Sequence, residues 1–241
     1  VADPIKGEKM SKHKELKEKC WKANMEVSRQ KLAVYTFGNV SALNPEEGIF
    51  AIKPSGVPYD EMKPADMVLV DLDGKKVEGK MNPSSDTPTH AVLYRSLSGI
   101  YSIVHTHSAY AAAWAQACRP VPIYGTTHAD HLAGDIPVTE VMSDEMIKGQ
   151  YEEQTGHQII NALKEKNLSP LEVQMILVAC HGAFTWGETP DKAVYNAVVL
   201  EEIARMAFMT EQINPDIKRM KETLINKHYQ RKHGKDAYYG Q

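Results

Sequence analysis

The sequence has few of the features that mark secreted, membrane or nucleic-acid-binding proteins. Its three cysteines, Cys20, Cys118 and Cys180, stand far apart, are odd in number and form no C-x-x-C. That argues against a disulfide scaffold and predicts a reduced compartment, the cytoplasm. Apolar stretches such as Met175 to Cys180 are far too short to span a bilayer, and no signal-peptide pattern is visible. Lysine and arginine number 28 against 31 aspartates and glutamates, a net charge of -3, with no interior block of one sign. Neither nucleic acid nor an anionic membrane is therefore an expected partner, although local donors could still hold a small anion. Internal repeats are absent. No G-x-G-x-x-G follows a strand and no G-x-x-x-x-G-K-[ST] occurs, which removes the common dinucleotide and P-loop signatures.

What is present fits one large domain, since 241 residues can bury a core without staples. Met10-Ser11 reads as a natural start. Residues 1–9 are then expected to be an artificial extension or a disordered N-terminus, and residues 10–241 a single domain. Leu16, Cys20, Ala23 and Val27 share one face of a helix predicted from about Lys12 to Gln30. Strands are predicted at Tyr35–Leu43 and Ile49–Lys53, joined by a turn at Asn44 to Gly48. Asp73-Gly74 predicts a hairpin between Met67–Leu72 and Lys76–Glu78. A helix opens near Thr87-Pro88, Tyr101–His107 reads as a strand and Ala109–Ala117 as a helix. Ser143 is expected to cap a helix reaching about Lys166. Gln174–His181 reads as a strand. Thr189-Pro190 opens a helix through Ile213, and Asn214-Pro215 opens the last one, stopped by Gly234. Hairpins with helices before, between and after them predict an α/β fold: three α/β/α layers with a largely antiparallel central sheet.

His105-Thr106-His107 closes an apolar strand, and alternate strand residues share a face. Both imidazoles can therefore reach one ion. His181 ends another apolar strand and could join them, giving three neutral imidazoles and an open position, a common arrangement for zinc. Asp86 could be a fourth ligand or a partner to a ligating histidine. The competing reading leaves each histidine separately satisfied in a loop. Cys180, a strand neighbour of His181, is expected to point into the core. His90, His128, His131 and His157 read as structural or surface residues.

Three segments rich in small donors stand at element ends: Gly38-Asn39, Ser55-Gly56 after Lys53, and Ser84-Ser85 before a helix. Together they could hold a phosphate monoester, because glycine allows close backbone approach and a helix N-terminus attracts anions. Singly, each is also ordinary turn sequence.

Read in order, Phe-Gly-Asn-Val-Ser (37–41), Ile-Lys-Pro-Ser-Gly-Val (52–57), Pro-Ser-Ser-Asp-Thr-Pro-Thr-His (83–90), Ile-Val-His-Thr-His-Ser (103–108), Gly-Thr-Thr-His-Ala-Asp (125–130) and His-Gly-Ala-Phe-Thr-Trp-Gly (181–187) resemble the class II aldolase/adducin family. The tail, Lys-His-Tyr-Gln-Arg-Lys-His-Gly (227–234) and Ala-Tyr-Tyr-Gly-Gln (237–241), resembles that family's pentulose-phosphate epimerase branch. The resemblance implies zinc on His105, His107 and His181, with Asp86 at the metal where related aldolases carry Glu. It implies phosphate binding by Gly38, Asn39, Ser55, Gly56, Ser84 and Ser85, with Lys53 nearby. It further implies Asp130 and Tyr239 as a proton donor/acceptor pair, with His228 and Arg231 close to the site. The implied assembly is a C4 homotetramer in which Asp130 and Tyr239 reach a neighbour's metal. The implied reaction interconverts two pentulose 5-phosphates by opening and re-forming the C3–C4 bond. A class II sugar-phosphate aldolase and a non-enzymatic adducin-like interaction domain are the alternatives. Phe37 in place of Trp, and Ala179-Cys180-His181-Gly182-Ala183 in place of His-Ser-His-Gly-Pro, are departures from the family pattern.

Overall fold

A computed structural model describes residues 4–235, 237 and 238, with side chains from residue 13 onward. In chain order its main elements are α1 (Pro4–Arg29), β1 (Asn39–Asn44), β2 (Ile49–Ile52), β3 (Val68–Asp71), β4 (Lys76–Glu78), α2 (Thr87–Ser96), β5 (Ser102–Thr106) and α3 (Ala109–Gln116). There follow α4 (Thr126–Ala129), α5 (Asp144–Lys148), α6 (Tyr151–Glu165), β6 (Met175–Val178), β7 (Gly182–Gly187), α7 (Pro190–Ile213) and α8 (Glu222–His233).

The seven strands form one sheet in the order β4-β3-β2-β1-β5-β7-β6, and every adjacent pair is antiparallel. Strand alternation sends Ile103 to one face, where it packs with α2 and α6 through Val92, Leu93, Ile159 and Leu163. Val104 goes to the other face, against Val27 of α1 and Val194 and Ala197 of α7. Helices thus cover both faces, which is the predicted three-layer α/β/α arrangement with an antiparallel sheet. Among the described residues no helix is long and apolar enough to cross a membrane.

Each layer is fixed by specific residues. Leu16, Cys20, Ala23 and Val27 are buried, as their helical spacing predicts. Asn24 lies in the same buried stripe and tolerates it because every polar atom of its amide is satisfied. Its Nδ2 donates to Cys20 O (2.8 Å) and Val40 O (3.0 Å), and its Oδ1 accepts from Val40 N (2.8 Å), tying α1 to β1. On the opposite face Trp186 is fully buried and its indole N–H donates to Pro170 O at 2.7 Å. Truncating it to alanine would cost about 3–5 kcal/mol.

Several boundaries differ from expectation. α1 begins at Pro4, well before Lys12. Tyr35 lies in a turn with φ of 55°, so β1 starts only at Asn39. The single helix expected from Ser143 to Lys166 is two: Ser143 caps α5, and Gly149 interrupts the chain before α6. Asn214-Pro215 forms a turn, and α8 starts at Glu222. The strand predicted through His181 ends at Val178, and an unpredicted β7 follows. Its six residues are all buried, so it lacks the alternation that betrays a half-exposed strand. Cys180 is a correction: it is an exposed turn residue with φ of 60°, not a core residue.

Candidate active site

Antiparallel pairing gathers the start of β1, the end of β2, the end of β5 and the β6–β7 turn at one end of the sheet. Asn39 pairs with His105, and Thr106 pairs with Ala183. His181 sits in the β6–β7 turn, where its N–H donates to Val178 O at 3.0 Å. Glycines permit the close packing. A Cβ on Gly182 would lie 2.7 Å from Thr106 O and 3.4 Å from both the His105 and His107 rings. Gly38 has φ of +75°, and a Cβ there would lie 2.7 Å from His105 O.

Among the described residues, His105, His107 and His181 form a group with ligand atoms all within 4.8 Å of one another. His105 is buried and stacks on Phe184 at 4.3 Å between ring centroids. Its Nδ1 lies 3.0 Å from Ala183 O. A carbonyl can only accept, so Nδ1 carries the proton and Nε2 keeps its lone pair. That lone pair faces His107 Nε2 at 3.0 Å. Burial pushes the His105 pKa down to about 3 and lowers those of His107 and His181. Three neutral imidazoles converging at one point are a donor set that fits a divalent ion.

Asp86 Oδ2 is 4.0 Å from His105 Nε2 and accepts from Asn39 Nδ2 at 2.6 Å. Burial opposes its charge, but His105, His90 and the Asn39 bond outweigh it and hold the carboxyl below the usual range. Asn39 Nδ2 also donates to Ser84 Oγ at 3.1 Å, while its buried Oδ1 has no partner.

One cavity of about 580 Å³ contains the three histidines and Asp86 together with Gly38, Asn39, Lys53, Ser55, Gly56, Ser84 and Ser85. The loop after β2 and the loop before α2 run side by side, joined by Ser84 N to Lys53 O and Ser55 N to Asn82 O, each 3.0 Å. Lys53 is buried and its ammonium donates to Val57 O (2.9 Å), Pro54 O (3.3 Å) and Thr36 O (3.4 Å). Burial lowers its pKa to about 8. These acceptors are neutral carbonyls, so the lysine leaves positive potential beside the serines and the α2 N-terminus. Thr36, Phe37, Tyr151 and Glu152 also line the cavity. Sequence reasoning missed Tyr151 and Glu152 because one continuous helix was expected across Gly149. Recognising that break would have placed both residues at a helix start.

Asp130 is not among the residues lining this cavity. It follows α4 and faces α8, where Arg231 Nε and Nη2 donate to its two oxygens at 3.0 and 2.7 Å. His228 Nδ1 donates to Oδ1 at 2.9 Å. Burial works against this carboxylate, and the Arg231 and His228 bonds more than offset it, lowering its pKa. Tyr239 lies outside the described residues.

Residues 18–208 match the model for the Class II Aldolase and Adducin N-terminal domain. Relatives described as L-ribulose-5-phosphate 4-epimerase UlaF, from Salmonella paratyphi A and Salmonella typhi, are 51% identical over 226 residues, covering 94% of this chain and 98% of theirs. A solved L-fuculose 1-phosphate aldolase superposes with a TM-score of 0.73 at 22% identity, over 89% of this chain and 94% of its own. The L-fuculose 1-phosphate aldolase from Glaciozyma antarctica PI12 also gives 0.73, at 20% identity over 91% and 82% of the two chains. At those identities the two structures speak for the fold alone. A match across most of the chain, on a sheet that brings its three histidines together, makes this protein a member of the class II aldolase/adducin family.

Proposed function

We propose that the chain is an L-ribulose-5-phosphate 4-epimerase that interconverts L-ribulose 5-phosphate and D-xylulose 5-phosphate. The observation that carries this reading is the likeness to relatives of that name, which runs over 94% of the chain and so extends beyond the family match. The cavity supplies the chemistry such a reaction needs. The carbon to be inverted is remote from the ketone, so its C–H is not acidic. Opening and re-forming the C3–C4 bond avoids that difficulty.

His105, His107 and His181 would hold one divalent ion, zinc in our reading, with Asp86 beside it. When bound, the ion supplies a Lewis acid to the ketone and its neighbouring hydroxyl, lowering the cost of the electron pair left when C3–C4 opens. Lys53 and the Ser55-Gly56 and Ser84-Ser85 loops would grip the 5-phosphate. The aldehyde fragment then stays bound while it turns its other face. Asp130 and Tyr239 would move the proton at the C4 oxygen, one on each face. Arg231 and His228 hold Asp130 in orientation. Because Asp130 stands apart from the cavity in its own subunit, we place it in a neighbour's site within a C4 homotetramer. The pentulose 5-phosphate is the expected partner and the cytoplasm the expected location.

A coupled assay with both pentulose phosphates, before and after chelation, tests the reading. Interconversion abolished by chelator and restored by zinc is the expected result. Release of free aldehyde phosphate without interconversion would instead support a class II aldolase. Tyr239→Phe should cripple turnover while the protein keeps its metal; full activity in that variant removes Tyr239 from the mechanism.

A further inference from the structure

We propose that Cys118 and Cys180 form a thiol/disulfide site that fastens the His181 turn to the end of α3. The two sulfurs lie 3.5 Å apart although 62 residues separate them in sequence, and both cysteines are exposed. Their backbones are held in place by one acceptor: Cys118 N and Cys180 N both donate to Ala115 O, at 3.0 and 2.9 Å. Both residues adopt left-handed conformations, with φ of 52° and 60°. That region is uncommon for side chains other than Asn, Asp and His, and it persists only where the surroundings enforce it. Two strained turns, pinned to one carbonyl, thus direct two thiols at each other. The third thiol, Cys20, is buried and lies 3.3 Å from Val40 O and Ala51 O. It belongs to the core and takes no part.

The chemistry is a two-electron oxidation by a peroxide. One thiol attacks the O–O bond and becomes a sulfenic acid, releasing water. The second thiol displaces the hydroxyl as another water and forms the S–S bond. Two thiols and one peroxide give one disulfide and two waters, and a dithiol reductant reverses the change. Because Cys180 directly precedes His181, the bond would tie the turn bearing the third histidine to α3. This inference concerns the thiols alone and stands or falls independently of the proposed reaction.

The test treats the metal-loaded full chain with hydrogen peroxide, alkylates remaining thiols, digests with trypsin and identifies peptides by mass spectrometry. The expected product is an intrachain link between the Cys118 and Cys180 peptides, with the intact mass lower by two hydrogens and restored by dithiothreitol. Amide exchange in the β6–β7 turn should slow severalfold on oxidation, and should not slow in Cys118→Ser. The site is overturned if the two cysteines alkylate separately, go only to sulfinic or sulfonic acid, or link only between chains. Unchanged exchange in the linked protein would overturn the fastening of the turn.

Discussion

Three imidazoles at the end of the sheet and one carboxylate beside α8 are both held by short, well-directed contacts, yet their charges stand differently. Burial keeps the histidines neutral while His105 and His107 hold their Nε2 atoms 3.0 Å apart. Asp130 already has its countercharge, a bidentate guanidinium from Arg231 and a bond from His228. The first region is prepared for a cation from solution. The second is balanced within the chain, so its task depends on what it is brought against. A fold can therefore finish one half of a site and only position the other.

Removing a metal ligand should separate the two regions most sharply. His107→Asn is expected to weaken divalent-ion affinity at least about a hundredfold, with little change in melting temperature of the metal-free protein. Competition with a chromogenic chelator measures the first and calorimetry the second; unaltered affinity would remove His107 from the metal site.

Acid should come next, and it should reach the histidines before the carboxylate. Burial holds His90 near pKa 4 and His105 near 3, so both stay neutral in the fold but take up protons on unfolding below about 6.5. Stability of the metal-free protein then falls as pH drops from about 6.5, down to about 4 for His90 and about 3 for His105, on the order of 3 kcal/mol for His90 alone. Asp130 has the opposite sign of shift. Its lowered pKa adds stability above the unfolded carboxyl value of about 3.9, lost only as pH falls further. Urea melts across pH 7 to 3 should show a decline that begins near pH 6.5 and steepens below about 3.9, and its part above pH 4 should shrink in His90→Gln.

Arg231→Met should cost about 1–3 kcal/mol by leaving a largely buried carboxylate short of donors. Metal content should stay the same in this variant. A joint loss of stability and metal would show that the two regions are coupled within one subunit. Tyr151→Phe should have the smallest effect. Its hydroxyl is 3.4 Å from His181 Nδ1, a long contact, so metal affinity should fall no more than a few fold by the same chelator competition.

The readable parts of the sequence were those where local chemistry decides. Thr189-Pro190 marked the start of α7 and Asp73-Gly74 the hairpin turn, because caps and left-handed turns depend on a few adjacent residues. His-x-His was readable for the same reason, since strand periodicity alone puts both rings on one face. The convergence of His181 was not readable in that way. It depends on β7, and Gly-Ala-Phe-Thr-Trp-Gly is buried throughout and carries no period. The expected strand end at His181 gave the right neighbourhood from the wrong local structure. The phosphate-type loops were ordinary turns one by one, and only the antiparallel bridge between Pro54 and Pro83, which lays residues 53–56 beside 82–86, makes them a single wall. Asp130 could not be tied to the metal by its neighbours, since its partners come from α8.

The hairpin that carries His181 also makes the metal site depend on a long-range pairing. His105 bonds to Ala183, 78 residues further along the chain, so the three-histidine group is complete only where β7 is paired with β5. Closing that long loop costs entropy that the nearer contacts do not. A chain that has built only its first five strands has two of the three histidines and would hold an ion weakly. Capture of metal at full affinity would then time the closing of the sheet's centre, and a metal-sensitive probe in a refolding experiment would read that moment directly.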